Sequence, residues 1–166
     1  MRQDMSIKEC IDNILSDLQS VVEEKPYIAF YTLFVLVEFL GKCLNDLEWE
    51  DKNHSSSDFF QAIYTYPSLK DYKILEKGNY NDLFYVRCSL AHRMLADTEF
   101  RLDKDKNDLN QKIIGCKDFY ADIQQAWKDA KEGNVNVKKN LDEIKMTTID
   151  SLSGSTMTNK TIAKES

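Results

Sequence analysis

Glycine and proline are scarce in this chain, five and two among 166 residues. Turn-rich sandwiches and barrels need both at their many reversals, so the shortage excludes that class and favours long helices. Cysteine occurs four times, at Cys10, Cys43, Cys88 and Cys116, with no two close together and no C-x-x-C. That removes zinc-knuckle and thioredoxin-like readings. All four stand among apolar neighbours and are expected to be buried thiols in a reducing cytoplasm. No long hydrophobic run is present. The most apolar stretch, 28–40, is interrupted by Thr32 and Glu38 and is too short for a membrane span. Met1-Arg2-Gln3-Asp4 leads into no apolar run, so no secretory leader is expected. Positive charge is not in excess either. The formal charge is −6, and its summed field repels phosphate, which excludes broad steering onto nucleic acid. One stretch differs: between Pro67 and Leu95 the basic residues Lys70, Lys73, Lys77, Arg87 and Arg93 outnumber three acidic ones. Asp103, Asp105, Asn107 and Asp108 resemble a calcium loop only loosely. No glutamate stands where the bidentate ligand is needed, so neither metal nor cofactor is expected.

What is present is an ordinary globular balance, 42% hydrophobic and 30% charged, in a length that suits one domain with a core of its own. Ser6-Ile7-Lys8-Glu9 is a capping box, and Ile7, Ile11, Leu15, Leu18 and Val22 follow at helical spacing. Pro26 suits the first position of a second helix, about 26–47. That helix is apolar nearly all round, including Ile28, Phe30, Tyr31, Phe34 and Val35, which predicts a place at the centre of a bundle. Ser55 and Asp58 give a cap signal for a short helix, 58–64. Pro67 interrupts it, and a second short helix covers 68–75. Gly78 is a stop and Asn79 a cap for a helix over about 80–95. The alternation at 99–102 and the apolar residues at 112–114 flank a polar turn, which predicts a small β-hairpin near 98–115. Phe119, Ile123, Trp127 and Ala130 resume helical spacing up to Gly133, and Val137, Leu141, Ile144 and Ile149 mark a last amphipathic helix. Trp49 and Trp127 read as packing groups. The expected fold is mostly all-α, an up-and-down bundle of about five to seven helices spanning 1–150, with a Ser/Thr-rich mobile tail at 151–166.

The helix over 80–95 is the most informative. At about 100° per residue, Leu83, Val86, Leu90 and Met94 form one apolar stripe, while Tyr85, Cys88, His92 and Leu95 form a second on the opposite side. A helix apolar on two sides is covered on both, once by its own bundle and once by another element or another chain. Arg87-Cys88-Ser89-Leu90-Ala91-His92 resembles the R-x4-6-H motif of HEPN domains, all-helical bundles in which this motif sits on a late helix. Glu38-Phe39-Leu40-Gly41-Lys42 is similar to the E-x3-K pair that such domains often carry on an earlier helix. Cys88 stands where active members usually have a polar residue.

The resemblance implies a homodimer formed through the helix around 80–95. It implies Arg87 and His92 as the catalytic pair, supported by Glu38, Lys42 and Ser89, with no metal required. Partners would include RNA, or an antitoxin or nucleotidyltransferase. The first expectation is a non-catalytic HEPN-like dimeric module that binds a protein partner or a nucleotide or RNA. The alternative is a metal-independent endoribonuclease, a toxin or defence effector, in which the 2′-hydroxyl attacks and leaves a 2′,3′-cyclic phosphate. A histidine suits the proton transfers and an arginine fork the phosphorane oxygens. The residues also allow a purely structural account. A carboxylate in so apolar a helix needs a partner, and Arg87 or Lys42 can supply one for Glu38.

Overall fold

The computed structural model describes residues 3–49, 54–77, 80–93 and 100–148. Helices dominate, with small β elements at the margins. The order is β1 (Gln3–Ser6), α1 (Ile7–Glu24), α2 (Pro26–Lys42), α3 (Ser55–Thr65), a 3₁₀ segment (Pro67–Leu75), β2 (Glu76–Lys77), β3 (Tyr80–Asn81), α4 (Asp82–Arg93), β4 (Arg101–Asp103), β5 (Ile113–Gly115), α5 (Cys116–Glu132) and β6 (Lys145–Thr148). The expected mostly-α bundle with a small β element is what forms.

α1 begins at the predicted capping box. The Ser6 amide donates to Glu9 Oε2 at 2.9 Å and the Glu9 amide to Ser6 Oγ at 3.2 Å, satisfying two orphan donors. Its buried residues are Ile7, Ile11, Leu15, Leu18 and Val22, the predicted stripe. α5 fastens this helix from the other side. Tyr120 donates to the Leu15 carbonyl at 2.6 Å, and Trp127 Nε1 to Asp12 at 2.7 Å. Lys131 completes the contact, 2.6 Å from the same carboxylate.

α2 occupies the middle, packed against α1, α3, α4 and α5. Phe30 and Phe34 meet Phe119 of α5, while Phe34 also meets Phe59 of α3. Each such fully buried aromatic contributes roughly 2 kcal/mol through apolar burial. α3 approaches α2 so closely at Gly41 that a Cβ there would stand 1.6 Å from the Asp58 carbonyl oxygen. Only glycine permits that approach.

α2 stops at Lys42, short of the predicted end near 47. Asn45 is the reason: its Oδ1 accepts the Leu47 amide at 3.0 Å and its Nδ2 donates to Asp58 at 2.6 Å, offering the backbone an alternative to the helix. The same contact changes Asp58 from the predicted capping residue into a buried one. α3 starts at Ser55, and the Ser57 hydroxyl in its first turn donates back to the His54 carbonyl at 2.9 Å. The second short helix is a 3₁₀ segment, tied to α5 by Ser68 Oγ on the Asp122 carbonyl at 2.7 Å and by the Tyr72 hydroxyl on Asp122 Oδ2 at 2.9 Å. The Gly78 and Asn79 signals lie outside the described residues, as do Met94, Leu95, Ile149 and the 151–166 tail.

Three further expectations are corrected. β4 and β5 form where the β element was placed, but they pair in parallel, Arg101 beside Ile113 and Asp103 beside Gly115, and so make no hairpin. The polar turn folds back on itself instead of reversing tightly. Asp103 Oδ1 accepts the amides of Asp105 and Lys106, Asn107 Oδ1 accepts that of Gly115, and Lys112 turns the chain at a φ of 56°. The last amphipathic helix does not form. After Gly133 ends α5 at a φ of 76°, the Lys138 amide caps the Cys43 carbonyl at the end of α2 and β6 pairs antiparallel with β1. The side chains of Val137, Leu141 and Ile144 still pack on the core, from irregular backbone. Finally, α2 is not covered all round: Ile28, Tyr31 and Val35 are 58%, 47% and 42% exposed.

Candidate functional site

α4 turns Leu83, Val86 and Leu90 into the core, as its first stripe requires. On the second side Tyr85 is 52% exposed, Cys88 is half-buried and Ser89 is buried. Phe84 lies edge-on against Phe59 of α3, with ring centroids 5.5 Å apart.

The centre of the candidate site is an ion pair. Arg87 Nη2 donates to Glu38 Oε2 at 2.6 Å, joining α4 to α2, and both side chains are 21% exposed. The guanidinium also lies 5.8 Å from the Phe84 ring centroid, and its Nε is buried without a hydrogen-bond partner. Glu38 thus has the partner that its apolar helix demands. The structure brings Arg87 and Glu38 together, one of the two pairings that the structural account of the sequence allowed. Lys42 follows another course: its Nζ donates to the Trp49 carbonyl and stands 5.9 Å from the Trp49 ring centroid. Trp49 stacks on Phe39 at 5.6 Å and also receives Lys139 over its ring, so it is a packing group, as read.

His92 is within the described backbone of α4, five residues after Arg87; its side chain lies outside the described residues. Five residues turn a helix by about 500°, so the two positions point about 140° apart. Arg87 faces α2, and the His92 position is two turns beyond Tyr85 on the other side. One copy of α4 therefore divides the motif between two faces. Of the lysines in the locally basic stretch, Lys70 is exposed, while Lys73 holds its ammonium 4.2 Å over the Tyr64 ring. The side chains of Lys77 and Arg93 lie outside the described residues.

Cys43 and Cys116 are buried, and burial pushes both thiols up to about 12, which makes them unreactive. Cys10 and Cys88 are half-buried rather than buried, and all four are free. Burial also raises the Asp58 carboxyl above its ordinary range, against the attraction of Lys42 and His54. Among the described residues no group of three His, Cys, Asp or Glu is arranged to hold a metal ion, and no helix is long and apolar enough to cross a membrane.

The feature the sequence reading missed adjoins the ion pair. Tyr27, Ile28, Tyr31 and Val35 line one exposed side of α2. Tyr27, Ile28, Tyr31 and Leu90 of α4 enclose a groove of about 280 Å³. A signal was available. Positions 28, 31, 35, 38 and 42 fall on one helical stripe, and Glu38 and Lys42 mark that stripe as the side nearest solvent. No protein-family model matches this chain, and no curated protein or solved structure matches it.

Proposed function

We propose that the chain is a HEPN-like helical interaction module rather than a working ribonuclease. The observation that carries this reading is the 2.6 Å Glu38–Arg87 pair. An arginine that stabilises a phosphorane must bring uncompensated positive charge to the reacting phosphate. Here a carboxylate already matches it and α2 holds it in place. Cys88 beside it adds no polar group for handling protons or phosphate. The ion pair instead fixes α4 against α2, next to an apolar surface suited to a partner. The exposed apolar face and the net charge of −6 favour a protein over RNA as that partner. Free thiols, two of them buried, fit a reducing compartment such as the cytoplasm.

The second reading is the metal-independent endoribonuclease. It is favoured by Arg87 Nε, a donor of the fork that no internal acceptor has taken. Incubation of the purified chain and its His92→Ala variant with structured and single-stranded RNA separates the two. The interaction-module reading expects intact RNA with both. Cleavage by the wild type that leaves 2′,3′-cyclic phosphate ends and is lost in His92→Ala would overturn it.

A further inference from the structure

We infer that the cavity between α1, α5 and the segment 133–142 binds a small organic dicarboxylate, whose two charges displace Asp142 and meet Lys8 and Lys139. This site is separate from the α2–α4 face and does not rest on the interaction-module reading.

The first support is the cavity itself. It has a volume of about 320 Å³, the size of a small-molecule site, and its walls are mainly polar. Lys8 of α1, Lys131 of α5 and Lys139 beyond α5 all line it, so three parts of the chain bring cations to one place. In a chain of net charge −6 that is a local reversal of sign. Val135 and Leu141, both buried, add an apolar part to the lining that suits the carbon body of a ligand.

The second is the state of those cations. Among the described residues each has one acceptor: Lys8 lies 2.7 Å from Asp142, Lys131 lies 2.6 Å from Asp12, and Lys139 donates to the Leu47 carbonyl. An ammonium has three donors, so each keeps two for a ligand. Asp12 is fixed, because Trp127 Nε1 also holds it, at 2.7 Å. Asp142 is held only by its backbone, through the amide bond to Asn140 Oδ1 at 3.2 Å, and by Lys8. Its carboxylate is 73% exposed and can turn outward without moving the chain. Three lysines then face one carboxylate, and 3 − 1 leaves two unmatched positive charges, which calls for a dianion.

The third is where that surplus lies. Lys8 and Lys131 both attract Asp12 and so share it. Lys139 stands apart, 5.6 Å from the Trp49 ring centroid, with no carboxylate partner among the described residues. The surplus is therefore split between two ends of the cavity. Two carboxylates on a short carbon chain match that better than one phosphate, which carries both charges on a single group. The last carbonyls of α5 oppose an anion here, and Lys131 in its last turn offsets them.

Isothermal titration of the full chain with glutarate at constant ionic strength tests this. Saturable one-to-one binding is expected, with a Kd on the order of 1 mM, and acetate is expected to bind about tenfold more weakly. Lys8→Gln and Lys139→Gln are each expected to weaken glutarate about fivefold, with melting temperatures close to that of the wild type. Asp142→Asn is expected to tighten it about threefold, because the resident competitor is gone. No binding of glutarate up to about 20 mM overturns the inference. An affinity unchanged in both lysine variants overturns it as well, since glutarate would then sit elsewhere. An Asp142→Asn variant that binds no tighter overturns the displacement. Tighter binding of glycerol 2-phosphate than of glutarate overturns the two-ended reading and gives the cavity to a phosphate ester.

Discussion

The two sides of α2 have nearly the same composition and opposite fates. Phe30, Phe34, Val37 and Leu40 are at most 1% exposed, whereas Tyr27, Ile28, Tyr31 and Val35 are 42–65% exposed. Hydrophobicity does not separate them; position around the helix does. The buried side meets α3 at a glycine contact and α5 through a cluster of rings, where close packing makes each atom count. The exposed side is left largely open among the described residues, bordered by Leu90 of α4 and by the Glu38–Arg87 pair. A helix can be apolar all round because it is buried all round, or because one side awaits a second surface. Residue types alone do not distinguish these cases.

The largest effects are expected on the buried side. Gly41→Ala must push α3 away from α2, since the added methyl cannot coexist with the Asp58 carbonyl, and Phe34→Ala empties the ring cluster. Each is expected to cost about 3 kcal/mol or more, read as a fall in the urea midpoint. A loss under 1 kcal/mol for Gly41→Ala would mean that α2 and α3 are not in contact there, and the contrast between the two sides would collapse.

An intermediate effect belongs to the boundary between the sides. Arg87→Ala and Glu38→Ala each leave a mostly buried charge without its partner and are expected to cost about 2 kcal/mol, less than for a fully buried pair because both groups keep some solvent. The double variant should cost less than the sum of the two, with a coupling of about 1 kcal/mol. Strict additivity would show that the pair contributes nothing and would remove the observation on which the proposed function rests.

The smallest effect is a dependence on pH. A carboxyl raised by burial holds its proton more readily in the folded chain, so ionised Asp58 subtracts stability, and that loss disappears as the pH falls through its raised value. Asp12 behaves oppositely. Burial acts to raise it, but Lys131 and Trp127 outweigh that and hold it low. Its contribution is present above the ordinary carboxylate range and is lost as the pH falls through its depressed value. Asp58→Asn is therefore expected to raise the melting temperature slightly near neutral pH, with the gain fading as the pH falls from the raised Asp58 value into the ordinary carboxylate range. A gain that persists at low pH would point to a cause other than ionisation.

Much of the scaffold was legible because its signals are local. The Ser6–Glu9 box, Pro26 at a helix start, the α1 stripe and Gly133 as a stop each act within a turn or two of chain. The chain after Asp103 was harder to read. The polar turn after Asp103 looked like a reversal, yet its side chains bond their own amides and lay β4 parallel to β5. The spacing of Val137, Leu141 and Ile144 is helical, but the Lys138 amide is taken by the Cys43 carbonyl at the end of α2 and the Ile144 carbonyl by the Ile7 amide of α1. Of the candidate site, the need of Glu38 for a cation could be anticipated because an apolar helix cannot leave a carboxylate alone, with Arg87 and Lys42 both in reach of the requirement. The flanking face was signalled only by Glu38 and Lys42 on its stripe, because a periodic pattern says that a residue is apolar and not what it meets.

The sequence by itself determined the helical class, the starts of α1 and α2, the stop of α5, the core stripes of α1, α4 and α5, and the need of Glu38 for a cation. These follow from backbone hydrogen bonding and the cost of an unpaired charge, which operate at short range. Only the tertiary structure decided which side of α2 is left open, that Arg87 and not Lys42 lies 2.6 Å from Glu38, and that β1 pairs with β6. Those outcomes depend on which surfaces run out of partners once the helices have packed, a property of the whole chain that no local window contains.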